Sequence, residues 1–163
     1  MTDARQYHDR SAGPVSATPR PDWGSVAHQL ITMRKSVGQL DALGPVDRAQ
    51  LDRDPATGLV VERILALLAD LAFAINSQLS AAVLGAVPRA PAAALGAVEK
   101  AGIIDARLAK DLVPQDGPHH LLVQLYLDSE PDRVAAVVSA ALSGYGEYVR
   151  QLDHWTAAQS PPD

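Results

Sequence analysis

The sequence predicts an all-α protein: a helical bundle of three long helices and two or three short ones in up-down packing. Three observations carry that prediction. Large apolar residues recur at alternating steps of three and four over long stretches, the period of one helix face. Proline, glycine and capping Asp or Ser residues punctuate those stretches at helix-length intervals. No segment alternates with period two for long enough to make a strand.

The elements follow in order. Residues 1–21 read as a disordered tail, with Gly13, Pro14, Ser16, Pro19 and Pro21 and no apolar period to offset their ordering entropy. Trp23, Val26, Leu30, Met33, Val37 and Leu40 form the stripe of a first long helix that Gly44-Pro45 terminates. Asp54-Pro55 supplies an N-cap and a first-turn proline for a second helix. Its stripe is Val61, Ile64, Leu65, Leu68, Leu71, Ile75, Leu79 and Ala82, ending near Gly85 and Pro88. At a rise of about 1.5 Å per residue this helix is roughly 40 Å long, the spine of a small bundle.

Pro91 opens a shorter helix that Gly102 closes as a left-handed residue, and Asp105 caps another running through Leu112 to a stop at Pro114. Residues 118–126 read as a further short helical segment. Ser129-Glu130-Pro131-Asp132 opens the last long helix, with its acids at the positive end of the dipole. The stripe there is Val134, Val137, Val138, Ala141, Tyr145, Tyr148, Leu152 and Trp155, with the two tyrosines read as packing residues whose hydroxyls reach water. Residues 22–155 are thus the helical domain, and 156–163 form a second tail closing on Pro161-Pro162.

Composition narrows the function classes. At 163 residues the chain favours one domain that buries roughly 70% of its unfolded surface. The absence of cysteine removes disulfides, thiolate metal sites and a Cys nucleophile. A net charge of −5 argues against a nucleic-acid binder that works through a basic face, DNA included. The stretch from Leu59 to Val87 is broken by Glu62, Arg63, Asp70, Asn76 and Gln78, so it is not read as a membrane span. Asp3, Arg5, Asp9 and Arg10 stand where a secretory signal would need an apolar run, and the expectation is a cytoplasmic protein.

Little in the residue pattern announces chemistry. Of the five histidines, His8 lies in the tail, and His28 and His154 sit beside helix stripes as surface or half-buried residues. Only His119-His120 is a cluster, after Asp116 and Gly117; adjacent helical side chains diverge by about 100°, which does not suit one metal ion. With no HExxH or related spacing, no metal site and no cofactor are expected. Glycine loops for phosphate and a GxSxG elbow are missing as well. Glu62 and Asp70 share a helix face, and Glu62 adjoins Arg63, in the manner of solvated or paired surface carboxylates.

Over most of residues 23–155 the chain resembles the HepT branch of the HEPN superfamily. The resemblance rests on three stretches. Val60-Val61-Glu62-Arg63-Ile64-Leu65 through Asp70 to Ile75-Asn76-Ser77-Gln78-Leu79 is similar to the family's long helix. The run from Leu95 to Leu112 with Ala101-Gly102-Ile103-Ile104-Asp105 is similar to its connector. The strongest likeness is Leu121-Leu122-Val123-Gln124-Leu125-Tyr126-Leu127-Asp128, followed by Pro131-Asp132-Arg133-Val134 and Gly144-Tyr145-Gly146-Glu147-Tyr148-Val149.

That resemblance implies a HEPN-like bundle and a metal-independent ribonuclease toxin of a type VII-like toxin–antitoxin system. It also implies a homodimer paired with an MNT-type nucleotidyltransferase antitoxin. The family motif is Arg-Asn, three residues, His, one residue, Tyr. Here the Arg position is His119, the Asn position His120 and the His position Gln124, while the tyrosine is kept as Tyr126. Glutamine does not titrate, so losing the general acid–base at Gln124 implies a penalty of about 10²–10⁴ in rate. His119, with an ordinary pKa near 6.5, is only roughly a quarter cationic at pH 7, against an arginine that is always charged. The expectation is an RNA endonuclease site that is weakened or lost. Contribution of His119 and His120 from both protomers as an acid and a base is the route by which activity would survive. The resemblance also marks Tyr126 as the candidate hydroxyl for adenylylation by the partner; packing on the core is the other role open to it. A non-catalytic dimeric interaction domain that binds the nucleotidyltransferase is the competing expectation.

Overall fold

The structure, a computed structural model, describes residues 21–113 and 133–159. Those residues form six helices and no strand: α1 (Trp23–Ala42), α2 (Arg48–Arg53), α3 (Pro55–Leu84), α4 (Pro91–Lys100), α5 (Ala106–Leu112) and α6 (Arg133–Gln159). The all-α class and the three long helices agree with expectation. The segment 118–126 and the Ser129 cap lie outside the described residues.

Aspartates start most of the helices. Asp22 accepts from the Ser25 N–H at 3.2 Å, Asp47 from Gln50 at 2.7 Å, Asp54 from Ala56 at 3.2 Å and Asp105 from Leu108 at 2.7 Å. Each satisfies a backbone donor that the first helical turn leaves open and places negative charge at the positive end of the dipole. Part of the chain's acidity is therefore architectural. The helix α2 is an element the apolar period does not announce: six residues are too few for a stripe, and only Leu51 is buried. Its signal was local, in the Asp47 cap.

The α4 terminus shows how a sequence stops a helix. Gly102 adopts φ +72°, its N–H donates to the Glu99 carbonyl at 2.9 Å, and the Ile103 N–H donates to the Val98 carbonyl at 2.9 Å. This is the two-bond Schellman pattern, and Ile103 and Val98 are both buried, completing its apolar contact. A Cβ on Gly102 meets nothing within 4 Å, so Gly102→Ala carries backbone strain alone. It is expected to lower stability by about 1 kcal/mol in urea denaturation; an unchanged midpoint would show that the left-handed turn is dispensable.

The long α3 is the spine, with α1, α2 and α4 packed along it. Val61, Leu68, Ile75 and Leu79 of α3 are fully buried, as are Met33 and Leu40 of α1 and Tyr148 and Leu152 of α6. The helix α6 closes the bundle against α1 and α5. Its seam with α1 holds Trp23 and Trp155, ring centroids 6.0 Å apart and tilted by 40°, and a bidentate Arg34–Asp153 ion pair. Trp23 is 41% exposed, so it rims this seam and does not anchor the core.

Candidate functional site

In chain order the residues from 114 to 132 join α5 to α6, and the described residues at that junction form a tight seat. Gly144 of α6 is buried, and a Cβ there would stand 3.0 Å from Leu112 Cδ2, so the glycine lets the end of α5 lie close against α6. Next to this seat Asp70, Phe73 and Asn76 of α3, Pro91 and Leu95 of α4, Leu112 and Tyr145 surround a cavity of about 60 Å³.

Two tyrosines on α6 face this region. The Tyr148 hydroxyl donates to Asn76 Oδ1 at 2.6 Å, and both residues are buried. The hydroxyl is therefore dry and paired, in contrast to the wet hydroxyl expected at Tyr148. Asn76 carries the missed signal. It follows Leu68 and Ala72 in steps of four and precedes Ser80, and all four residues are buried on one row of α3. A polar residue on a buried row needs a partner.

Burial raises the Tyr148 pKa well above the ordinary value; burial, and then the Asp70 carboxylate, push Tyr145 up to about 12. The unfolded chain releases these protons near pH 10 and the folded chain does not, so the fold holds more protons above that pH. Stability is expected to fall from pH 10 towards pH 12, and Tyr145→Phe should flatten part of that fall. A flat stability profile across that window would contradict the burial of both phenols.

Further along α6 a polar network ties it to α5. Gln151 Nε2 donates to Asp105 Oδ2 at 2.7 Å and to Glu147 Oε1 at 2.9 Å, and the Asp105 N–H donates to Gln151 Oε1 at 2.8 Å. The Leu108 N–H, and then the Gln151 amide, hold the Asp105 carboxyl below the usual range. Arg150 pairs with Glu147. These contacts fix α5 on α6 and leave no free acid–base pair between them.

The residues that sequence reasoning marked for chemistry, His119, His120, Gln124 and Tyr126, lie outside the described residues, as does His8. His28 and His154 are exposed. Glu62 is half-buried and Arg63 exposed, without an ion pair between them. Among the described residues no group of three or more His, Asp or Glu side chains could hold a metal ion. No described helix is long and apolar enough to cross a membrane.

Comparison with known proteins agrees with this architecture. No family model matches the chain. A tRNA nuclease HepT from Aphanizomenon flos-aquae is 31% identical over 97 residues, which cover 60% of this chain and 66% of that protein, just under two thirds of its length. A chain of the crystal structure of a toxin–antitoxin MntA-HpeT mutant superimposes with a TM-score of 0.68 at 15% identity, covering 80% of this chain and 98% of that one. YutE of Bacillus subtilis, a cytosolic protein of unknown function, matches with a TM-score of 0.68 at 12% identity over 88% of this chain and 96% of its own. At such identities the two structural matches speak for the fold. Fold and matches together show an all-helical protein with the fold of the toxin–antitoxin chain and of YutE. In sequence the chain is similar to a HepT protein over just under two thirds of that protein's length.

Proposed function

We propose that this chain is the toxin component of a HepT-like toxin–antitoxin pair of the type VII kind, acting in the cytoplasm, with an RNA endonuclease site that is weakened or lost. The observation that carries the toxin assignment is the 31% identity to a tRNA nuclease HepT. The weakening follows from the residues at the motif positions. His119 stands where arginine would stabilise developing phosphate charge, His120 where asparagine would stand, and Gln124 where histidine would move the proton. Attack by a ribose 2′-hydroxyl needs both functions and no metal. The expected partners are a second copy of the chain and an MNT-type nucleotidyltransferase, whose adenylylation target would be the Tyr126 hydroxyl. The pairing draws support from the toxin–antitoxin structure that shares the fold.

The test is cleavage of tRNA by the purified full chain, alone and with His119→Arg, His120→Asn and Gln124→His combined. Slow or undetectable cleavage that the triple change restores supports the reading. Robust cleavage by the unmodified chain, abolished by replacing His119 or His120, would show an intact site built on histidines.

A second reading keeps the pairing and drops the nuclease: a dimeric interaction domain that binds the nucleotidyltransferase without cutting RNA. Gln124, which cannot titrate, favours it. Co-purification with the nucleotidyltransferase, together with no cleavage even by the triple variant, would select it.

A further inference from the structure

The cavity beside Tyr145 offers a chemistry that cleavage of RNA does not use. Phe73, the chain's one phenylalanine, and Tyr145 bring aromatic rings to it, and Asp70 brings a carboxylate. Asp70 is exposed and makes no ion pair with the described residues, and the Tyr145 hydroxyl makes no hydrogen bond among them. Pro91, Leu95 and Leu112 close the remaining wall with apolar groups. Asn76 lines the cavity with its carbonyl already engaged by Tyr148.

We propose that Asp70, Phe73 and Tyr145 form a docking site for a guanidinium group, the arginine side chain of a partner protein. A cation beside a carboxylate gains Coulomb attraction, and one lying on an aromatic face gains from the ring quadrupole; a site with both suits guanidinium, which is planar and weakly hydrated, better than ammonium. Size agrees. A space of about 60 Å³ suits a group of about four heavy atoms or a few waters. The rest of such a ligand must remain outside, as it does when a side chain projects from a folded surface. Charge agrees as well: residues 22–155 hold 16 acidic and 11 basic side chains, which complements a basic partner. None of the three residues is a position of the nuclease motif, so the site stands or falls apart from RNA cleavage.

The experiment titrates the isotope-labelled full-length chain with methylguanidinium at constant ionic strength and follows the Asn76 side-chain amide by NMR. A saturable shift with half-saturation on the order of 10 mM is expected for so few atoms. Asp70→Asn, an exposed change whose folding is checked by circular dichroism, should weaken binding at least about tenfold. Tyr145→Phe, which keeps the ring, should bind nearly as the parent does. A peptide bearing one arginine should bind more tightly than the same peptide with lysine. An equal shift on adding sodium chloride, undiminished binding by Asp70→Asn, or equal affinity for the two peptides would each overturn the proposal.

Discussion

Tyr148→Ala is expected to destabilise the fold by about 4 kcal/mol, a large part of the total stability of an ordinary domain. Tyr148 is fully buried, and its ring sits in the core that α6 shares with α1 and α3. Truncation removes the ring, leaves a cavity among residues that cannot collapse fully, and strands Asn76 Oδ1 without its donor. Tyr148→Phe separates these effects. The ring stays, the 2.6 Å hydrogen bond goes, and a buried carbonyl is left unsatisfied. That single loss should amount to about 1–3 kcal/mol. Adding Asn76→Leu to Tyr148→Phe removes the orphaned acceptor and should recover part of it. Urea denaturation followed by the fluorescence of Trp23 and Trp155 measures all three variants. If Tyr148→Phe matches the parent within about 0.5 kcal/mol, the buried hydroxyl contributes nothing and the pairing with Asn76 is incidental.

The second large effect concerns activity. Gln124→His alone is expected to raise single-turnover cleavage of tRNA by about 10²–10⁴, the usual contribution of a positioned general acid–base. Adding His119→Arg should raise it again, because a guanidinium stays charged at every working pH and meets phosphate oxygens two at a time. The pH profile distinguishes a restored site from a contaminating nuclease. Cleavage that depends on a histidine at 124 should change near pH 6.5, and the change should vanish in the glutamine parent. If the triple variant is folded and still inert, the weakened-nuclease reading fails and the interaction-domain reading takes its place.

What the sequence revealed of the fold was its periodic part. The stripes of α1, α3 and α6 are long enough for a three-and-four spacing to stand out, and Gly44, Gly85 and Gly102 mark helix ends at which φ is positive. The short α2 was hidden because six residues hold a single buried side chain, Leu51. The paired state of Tyr148 was hidden for another reason. A tyrosine on a helix stripe satisfies the apolar pattern whether its hydroxyl meets water or a distant amide, and Asn76 is 72 residues away in the chain. The candidate site shows the same limit. The motif positions are local in sequence and could be aligned one by one, whereas Asp70, Phe73 and Tyr145 come together only across two helices and carry no local signature.

The seam between α1 and α6 governs when the molecule comes into existence during synthesis. Arg34 and Asp153, its ion pair, are 119 residues apart, and Trp23 meets Trp155 across the same seam. A ribosome that has made α1 through α5 has produced a chain whose core still lacks Tyr148, Val149 and Leu152. Closing so distant a pair is slow compared with forming the local α3–α4 contacts, and it takes place only after the last helix has left the exit tunnel. Truncated products therefore present an open apolar face to chaperones and proteases.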